Sequence, residues 1–265
     1  MKLSKRNYFT LKNRYLSNSK LSDWIRCPNY FYRKHVLGEI ITKETPAMRI
    51  GSGVDYWISF GQKKFREKYL KVGKRSEEAL AKTCSWIELP ASEYETVEKL
   101  SRKLETTKAI QELRGYTKQK ILQYDMGCGK YFEGICGVPD FFKIKDDVCT
   151  IIDLKTSVTI NFNKYYYKCV ELGYFRQQAM YQTLINRNFG IDKFVSKHIV
   201  IEKDPDEIFN CKVFELSQVD IDVQKEMIFV YIEEIIEEDT GKFDPLPVSL
   251  DDSIVVGTRD AVNWV

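Results

Sequence analysis

Along the first quarter of the chain, apolar residues recur at helical spacing. Leu21, Trp24 and Ile25 fall three and four apart behind Ser19, a candidate N-cap, and Pro28 opens a second turn that carries Tyr30, Phe31 and Val36. Two short helices are predicted there. After the Thr45-Pro46 break, Met48, Val54, Trp57, Ile58 and Phe65 predict one helix over 47–72 that tolerates Gly51 and Gly53, and a more polar helix follows over 92–113. The period then changes to two. Segments 120–124, 130–135, 140–145 and 148–155 alternate as half-buried strands do, and their short separations predict an antiparallel meander. A helix is predicted over 173–188, strands over 194–202 and 209–216, and a last helix that starts at a capping box, Ser217 with Asp220, and stops at Gly241. A sheet with helices before and after it gives an α/β class: a central mixed β-sheet flanked by helices, with a helical N-terminal region.

No repeat or biased linker divides the 265 residues, so one domain is expected over 1–265, with a helical front (1–115), a sheet and helix that carry the chemistry (116–216), and a C-terminal helix and tail (217–265). The 245–265 segment reads equally as a partner-binding tail or an edge strand. With 43% hydrophobic and 30% charged residues, disordered and collagen-like classes are excluded. No apolar run suits a membrane span and the first residues lack a secretory h-region, which places the protein in the cytoplasm with no membrane partner. Seven cysteines without a C-x-x-C pair suit reduced thiols better than disulfides or a zinc ribbon.

The net charge of +3 conceals an asymmetry. Residues 1–40 carry nine Lys/Arg against two acids, 41–200 carry 27 against 19, and 201–265 carry five against seventeen. A basic body with an acidic end suits a polyanion met on one face, although such runs are also ordinary solvated surface. Two histidines are too few for a histidine-based site. The absence of a G-x-x-x-x-G-K-[ST] loop removes nucleotide-driven chemistry, so no nucleotide cofactor is expected.

Candidate chemistry concentrates in 137–157. If Asp146-Asp147 form a two-residue hairpin turn, Asp140 lies opposite Asp153, with Lys155 on the same face and Phe142, Ile144, Cys149 and Ile151 continuing that face inward. Facing carboxylates repel and require a cation. Lys155 alone can supply it as a structural ion pair. A divalent cation supplies it better, because hard Mg²⁺ takes carboxylate and phosphate oxygens, and it explains an ammonium placed to orient water and offset phosphate charge.

Pro139-Asp140, a gap of twelve, then Asp153-Leu154-Lys155 resembles the signature of the PD-(D/E)XK nuclease superfamily, in particular its RecB-like and phage-type DNA exonucleases. Three further segments resemble that group in order. Leu21 to Arg33, with Cys27-Pro28, is similar to its N-terminal helix; Gly51 to Asp55 to its Gly-x-x-x-His helix; and Gln177 to Tyr181 to its Gln-x-x-x-Tyr helix. The resemblance implies a restriction-endonuclease-like core and metal-dependent hydrolysis of DNA phosphodiesters, with Mg²⁺ as cofactor and Mn²⁺ as a substitute. Asp140 and Asp153 would be metal ligands with the Leu154 carbonyl, and Lys155 the catalytic lysine. Asp55 stands where relatives carry histidine and takes the metal role by oxygen; Glu133 competes with it as third carboxylate.

Gln177 and Tyr181 share a helix face and are expected to reach the substrate together, Tyr181 as core being the alternative. Lys164, Tyr165, Tyr166 and Lys168 interleave cations with aromatics as single-strand binders do, and Arg176 is grouped with them as a nucleic-acid contact. Some relatives hold an iron-sulfur cluster on one early and three late cysteines, but only Cys211 follows residue 170, so none is implied. The resemblance further implies DNA ends as partner, in recombination, repair or phage replication. It leaves open an annealing-protein partner and a homo-oligomer of the toroidal phage type. A nuclease fold that binds DNA or protein without cutting is the alternative.

Overall fold

The computed structural model describes residues 14–72, 87–203 and 209–239. The predicted stop at Gly241 and the 245–265 tail lie outside them, as does Cys84. The other six cysteines are free thiols. In chain order the elements are β1 (Tyr15–Leu16), α1 (Asn18–Arg26), α2 (Pro28–His35), α3 (Pro46–Phe60), α4 (Gln62–Lys68), β2 (Tyr69–Val72), β3 (Ile87–Pro90), α5 (Ala91–Glu105), α6 (Lys108–Gln111), β4 (Thr117–Lys118), β5 (Leu122–Cys128), β6 (Phe132–Gly137), β7 (Phe141–Lys145), β8 (Val148–Ser157), α7 (Phe162–Glu171), α8 (Tyr174–Phe189), β9 (Lys193–Glu202), β10 (Cys211–Glu215) and α9 (Gln218–Asp239). Among the described residues no helix is long and apolar enough to cross a membrane.

The central sheet is mixed, in the order β10-β9-β8-β7-β4, with β8 parallel to β9 and the other pairs antiparallel. Its two faces bury different helices, because β7 and β8 alternate. Phe142, Cys149 and Ile151 join Ala179, Met180 and Leu184 of α8 and Ile228 and Ile232 of α9. Phe141 and Ile152 point the other way, into Val54 and Trp57 of α3 and Val97, Leu100 and Leu104 of α5. This is an α/β architecture with helices on both faces.

Four local expectations are corrected. The helix starting at Ser19 begins at Asn18, with Ser17 in the cap position. The single helix over 47–72 breaks at Gly61, whose φ of 87° ends α3, and the chain finishes as β2, paired parallel with β3. The helix over 92–113 stops at Glu105, and the Thr107 hydroxyl caps a separate turn. The four-strand meander is two hairpins in two sheets, since β5 pairs with β6 and β6 takes β1, not β7, as its other neighbour. The break falls at Gly137-Val138-Pro139. Pro139 has no N–H to offer a ladder, and a Cβ on Gly137 would stand 2.9 Å from the Tyr181 ring, so β6 runs close under α8 while β7 starts anew. Gly53 has a similar use: a Cβ there would meet Val97 at 2.8 Å, so glycine lets α3 lie close to α5.

Candidate metal and phosphate cleft

The β7–β8 hairpin delivers the central residues. Asp146 and Asp147 both take left-handed φ, 50° and 58°, as a type I′ turn requires. The ladder runs from Lys145↔Val148 to Phe141↔Ile152, which brings Asp140 opposite Asp153. The Leu154 N–H donates to Asp140 Oδ2 at 2.9 Å and fixes that carboxylate across the hairpin. Asp55 arrives from α3. Gln119, between β4 and β5, joins the two acids: its Nε2 donates to Asp55 Oδ1 and Oδ2 at 2.9 and 2.8 Å and to Asp140 Oδ1 at 3.1 Å. Gln119 has a φ of 49°, sparsely populated for a residue with a side chain, and its N–H is held by the Asp140 carbonyl at 3.0 Å.

Lys155 forms an ion pair with Asp153 and donates to Gln177 Oε1 at 2.9 Å. Gln177 Nε2 donates to the Tyr181 hydroxyl at 2.9 Å, which donates to the Val138 carbonyl at 3.1 Å. The Lys155 ammonium also lies 4.3 Å from the centre of the Tyr174 ring. Apart from Tyr181, these side chains border a cleft of about 490 Å³ at the carboxyl ends of the parallel strands β8 and β9, between α3 on one face and α7 and α8 on the other.

The charges are out of balance. Asp153 is 1% exposed, and its Oδ1 has no hydrogen-bond partner. Burial, then the charges of Asp153 and Asp55, push the Asp140 carboxyl well above the usual range, against the pull of Lys155 and the Leu154 N–H. Burial works against the charge on Lys155, but Asp153, Tyr174 and Asp140 override it and push its pKa up to about 12. Lys155 therefore stays an ammonium. Among the described residues no group of three or more His, Cys, Asp or Glu side chains is arranged to hold a metal by itself.

Asp55, Asp140, Asp153, Leu154, Lys155, Gln177 and Lys168 all border this cleft. Tyr181 is buried behind Gln177 and meets the site through it. Glu133 is paired with Arg14 on β6 and does not border the cleft. The aromatic and cationic run does not act together. Tyr165 is a core residue, 2% exposed, bonded to His198 Nδ1 at 2.8 Å and stacked on Phe214. Tyr166 faces a second groove with Phe175 and Gln218, and Lys164 is exposed. Arg176 is 8% exposed and spends its guanidinium on Asn18 Oδ1 and Ser22 Oγ, clamping α8 to α1. Tyr165 and Arg176 are thus buried and turned to partners within the fold, away from the cleft lining.

Two cleft residues, and one that joins its acids from outside the lining, escaped sequence reasoning. Tyr174 lies one turn before Gln177, so the helical face that selected Gln177 and Tyr181 also contained it. Lys203 follows β9 with no motif to mark it, and Gln119 belongs to no periodic pattern.

Residues 17–248 match the family model described as a PDDEXK-like domain of unknown function (DUF3799). The chain belongs to that family. A crystal structure from Eubacterium rectale named "Putative exonuclease" overlays with a TM-score of 0.67 at 19% identity, over 95% of this chain and 92% of that one, a likeness of fold. A phage related exonuclease from Haemophilus somnus 129PT overlays at a TM-score of 0.37 and 14% identity, over 86% of this chain and 96% of that one, too loosely to carry an argument. No match was found among curated proteins. The PDDEXK-like family accords with the mixed sheet and with the order of Pro139-Asp140 and Asp153-Leu154-Lys155 along the chain.

Proposed function

We propose that this protein is a metal-dependent DNA nuclease that hydrolyses phosphodiesters at DNA ends, an exonuclease acting in the cytoplasm during recombination, repair or phage replication. The observation that carries this reading is a carboxylate pair, half-buried Asp140 and buried Asp153, beside the ammonium of Lys155 in one open cleft of a PDDEXK-like fold. The donor set fits a hard divalent cation: Asp153 Oδ1 is buried without a partner, and Asp140 is crowded by like charge. Asp140, Asp153 and the Leu154 carbonyl would hold Mg²⁺ or Mn²⁺, with Asp55 beside them on the cleft wall. Bound there, the cation supplies Lewis-acid activation of the phosphate and of water.

The protein's own groups supply the rest. Lys155, held beside Asp153 in the cleft, would orient water and offset charge on the phosphate. Gln177 keeps the ammonium in place, and Tyr181 anchors Gln177 to the Val138 carbonyl. Digestion of end-labelled linear and closed circular DNA with Mg²⁺, Mn²⁺ or EDTA tests this, comparing wild type with Lys155→Ala. Loss of linear DNA alone, requiring metal and abolished by the substitution, is expected. Cutting of circles would make the protein an endonuclease, and binding without cutting would leave a nuclease fold kept for holding DNA.

A further inference from the structure

Two residues past Lys155 on β8, and so about 6.6 Å farther along the same face, stands Ser157. Two lysines gather around it. Lys168 of α7 donates to Ser157 Oγ at 3.3 Å, and the backbone N–H of Lys203 donates to the Ser157 carbonyl at 2.6 Å. Both side chains border the cleft that holds Asp140 and Asp153, and both residues are half-buried. Lys155 has its carboxylate in Asp153, whereas among the described residues no ion pair joins Lys168 or Lys203 to an acid. Burial lowers the Lys203 pKa, and the charge of Lys168 lowers it further. Like charges partly withdrawn from water cost free energy until an anion meets them. Among the described residues, one end of the cleft is thus short of a cation and the other short of an anion.

We propose that Lys168 and Lys203 form a phosphate subsite that grips the internucleotide phosphate next to the scissile one on the bound DNA strand. It rests on the nuclease reading above and adds a place to it. The step from Lys155 to Ser157 suits neighbouring phosphates of one strand, and two ammonium groups read phosphate without reading sequence. The alternative source of the same chemistry is a terminal or free phosphate.

The test is the salt dependence of binding, measured in EDTA by fluorescence anisotropy with a labelled oligonucleotide duplex bearing a single-stranded overhang. Each phosphate that the protein ceases to neutralise should reduce the slope of log K against log salt by about 0.7 to 0.9. Lys168→Gln and Lys203→Gln should each reduce the slope by part of one such increment and the double variant by about one, with the same loss on 5′-phosphorylated and 5′-hydroxyl strands. Lys145→Gln, at the far hairpin tip, should leave the slope unchanged. Should the double variant fail to fold, the single variants decide. An unaltered slope with wild-type binding intact overturns the subsite alone, and a loss confined to 5′-phosphorylated strands overturns the internucleotide assignment. Wild type without salt-dependent binding overturns the nuclease reading itself.

Discussion

Two partly or fully buried carboxylates, Asp23 and Asp140, have opposite fates. Asp23 on α1 receives Lys34 Nζ and His35 Nε2 on its Oδ2, both at 2.8 Å. Burial raises its pKa, but those two bonds and the Lys34 charge outweigh burial and hold the carboxyl below its ordinary value. The cluster is closed. Asp140 shares its surroundings with Asp153 and Asp55 against the cation of Lys155, which is committed to Asp153, and its carboxyl moves up. A balanced acid joins α1 to α2 and asks for nothing more, whereas an unbalanced one stores unfavourable charge that a ligand can relieve. That difference distinguishes the two acids where residue type does not, since both are aspartates.

The sharpest way to break the comparison is activity. Asp153→Asn should lower metal-dependent DNA hydrolysis on the order of 10³-fold, and Asp23→Asn by no more than a few-fold. Equal losses would erase the distinction. Next in size is stability without metal. In EDTA at neutral pH, Asp140→Asn should be more stable than wild type by about 1–3 kcal/mol in urea unfolding, because it removes a crowded buried charge. Mn²⁺ should raise the Tm of wild type and not of the variant. The sign with pH follows from the raised pKa. The native state holds the Asp140 proton more tightly than the unfolded chain, whose carboxyl titrates near about 3.9, so the stability linked to that proton is complete below about pH 4 and lost as pH rises through the native value. The advantage of Asp140→Asn should therefore vanish near about pH 4 and grow toward neutrality. Gln119→Leu sharpens the same point from outside the acid cluster. Without the amide, Asp55 and Asp140 face each other undamped, so metal-free stability should fall by about 1–2 kcal/mol and the Tm rise on adding Mn²⁺ should exceed that of wild type.

How much of this the amino-acid order discloses depends on the range of the interaction. The β7–β8 register was legible because Asp146-Asp147 accept the φ values of a tight turn, and a two-residue turn fixes every pair above it, Asp140 with Asp153 included. Ile144 shows the limit of the same reasoning: alternation turns it inward, but it lies too near the turn to be covered and is 38% exposed. The partners of β2 and of β6 were not legible, because β3 and β1 reach them across long stretches of chain that carry no pairing signal. Alternation likewise marks a strand without naming its sheet. The acids and Lys155 announced themselves by an unfavourable pattern of charge, whereas Gln119 is neutral, aperiodic and useful only where α3 and β7 meet. Tyr165 and Arg176 were hard to read for the converse reason: a DNA-binding composition is also what two neighbouring helices need when an aromatic of α7 packs on Phe214 and an arginine of α8 clamps α1.

The smallest effect completes the comparison by reversing its sign. Asp23 has a folded pKa below that of the unfolded chain, so the native state holds this proton less tightly, and the stability gained is present above about pH 4 and lost as pH falls through the folded value. Asp23→Asn should cost about 0.5–1 kcal/mol at pH 7, a modest figure because solvent reaches the pair, and nothing near about pH 2. Urea unfolding in EDTA at about pH 7, 5 and 3 reads both variants on one axis: Asp23→Asn falls below wild type as pH rises, while Asp140→Asn climbs above it. Curves that move in the same direction would mean that the two acids feel the same surroundings, and that the imbalance at Asp140 is not what marks the cleft as a site.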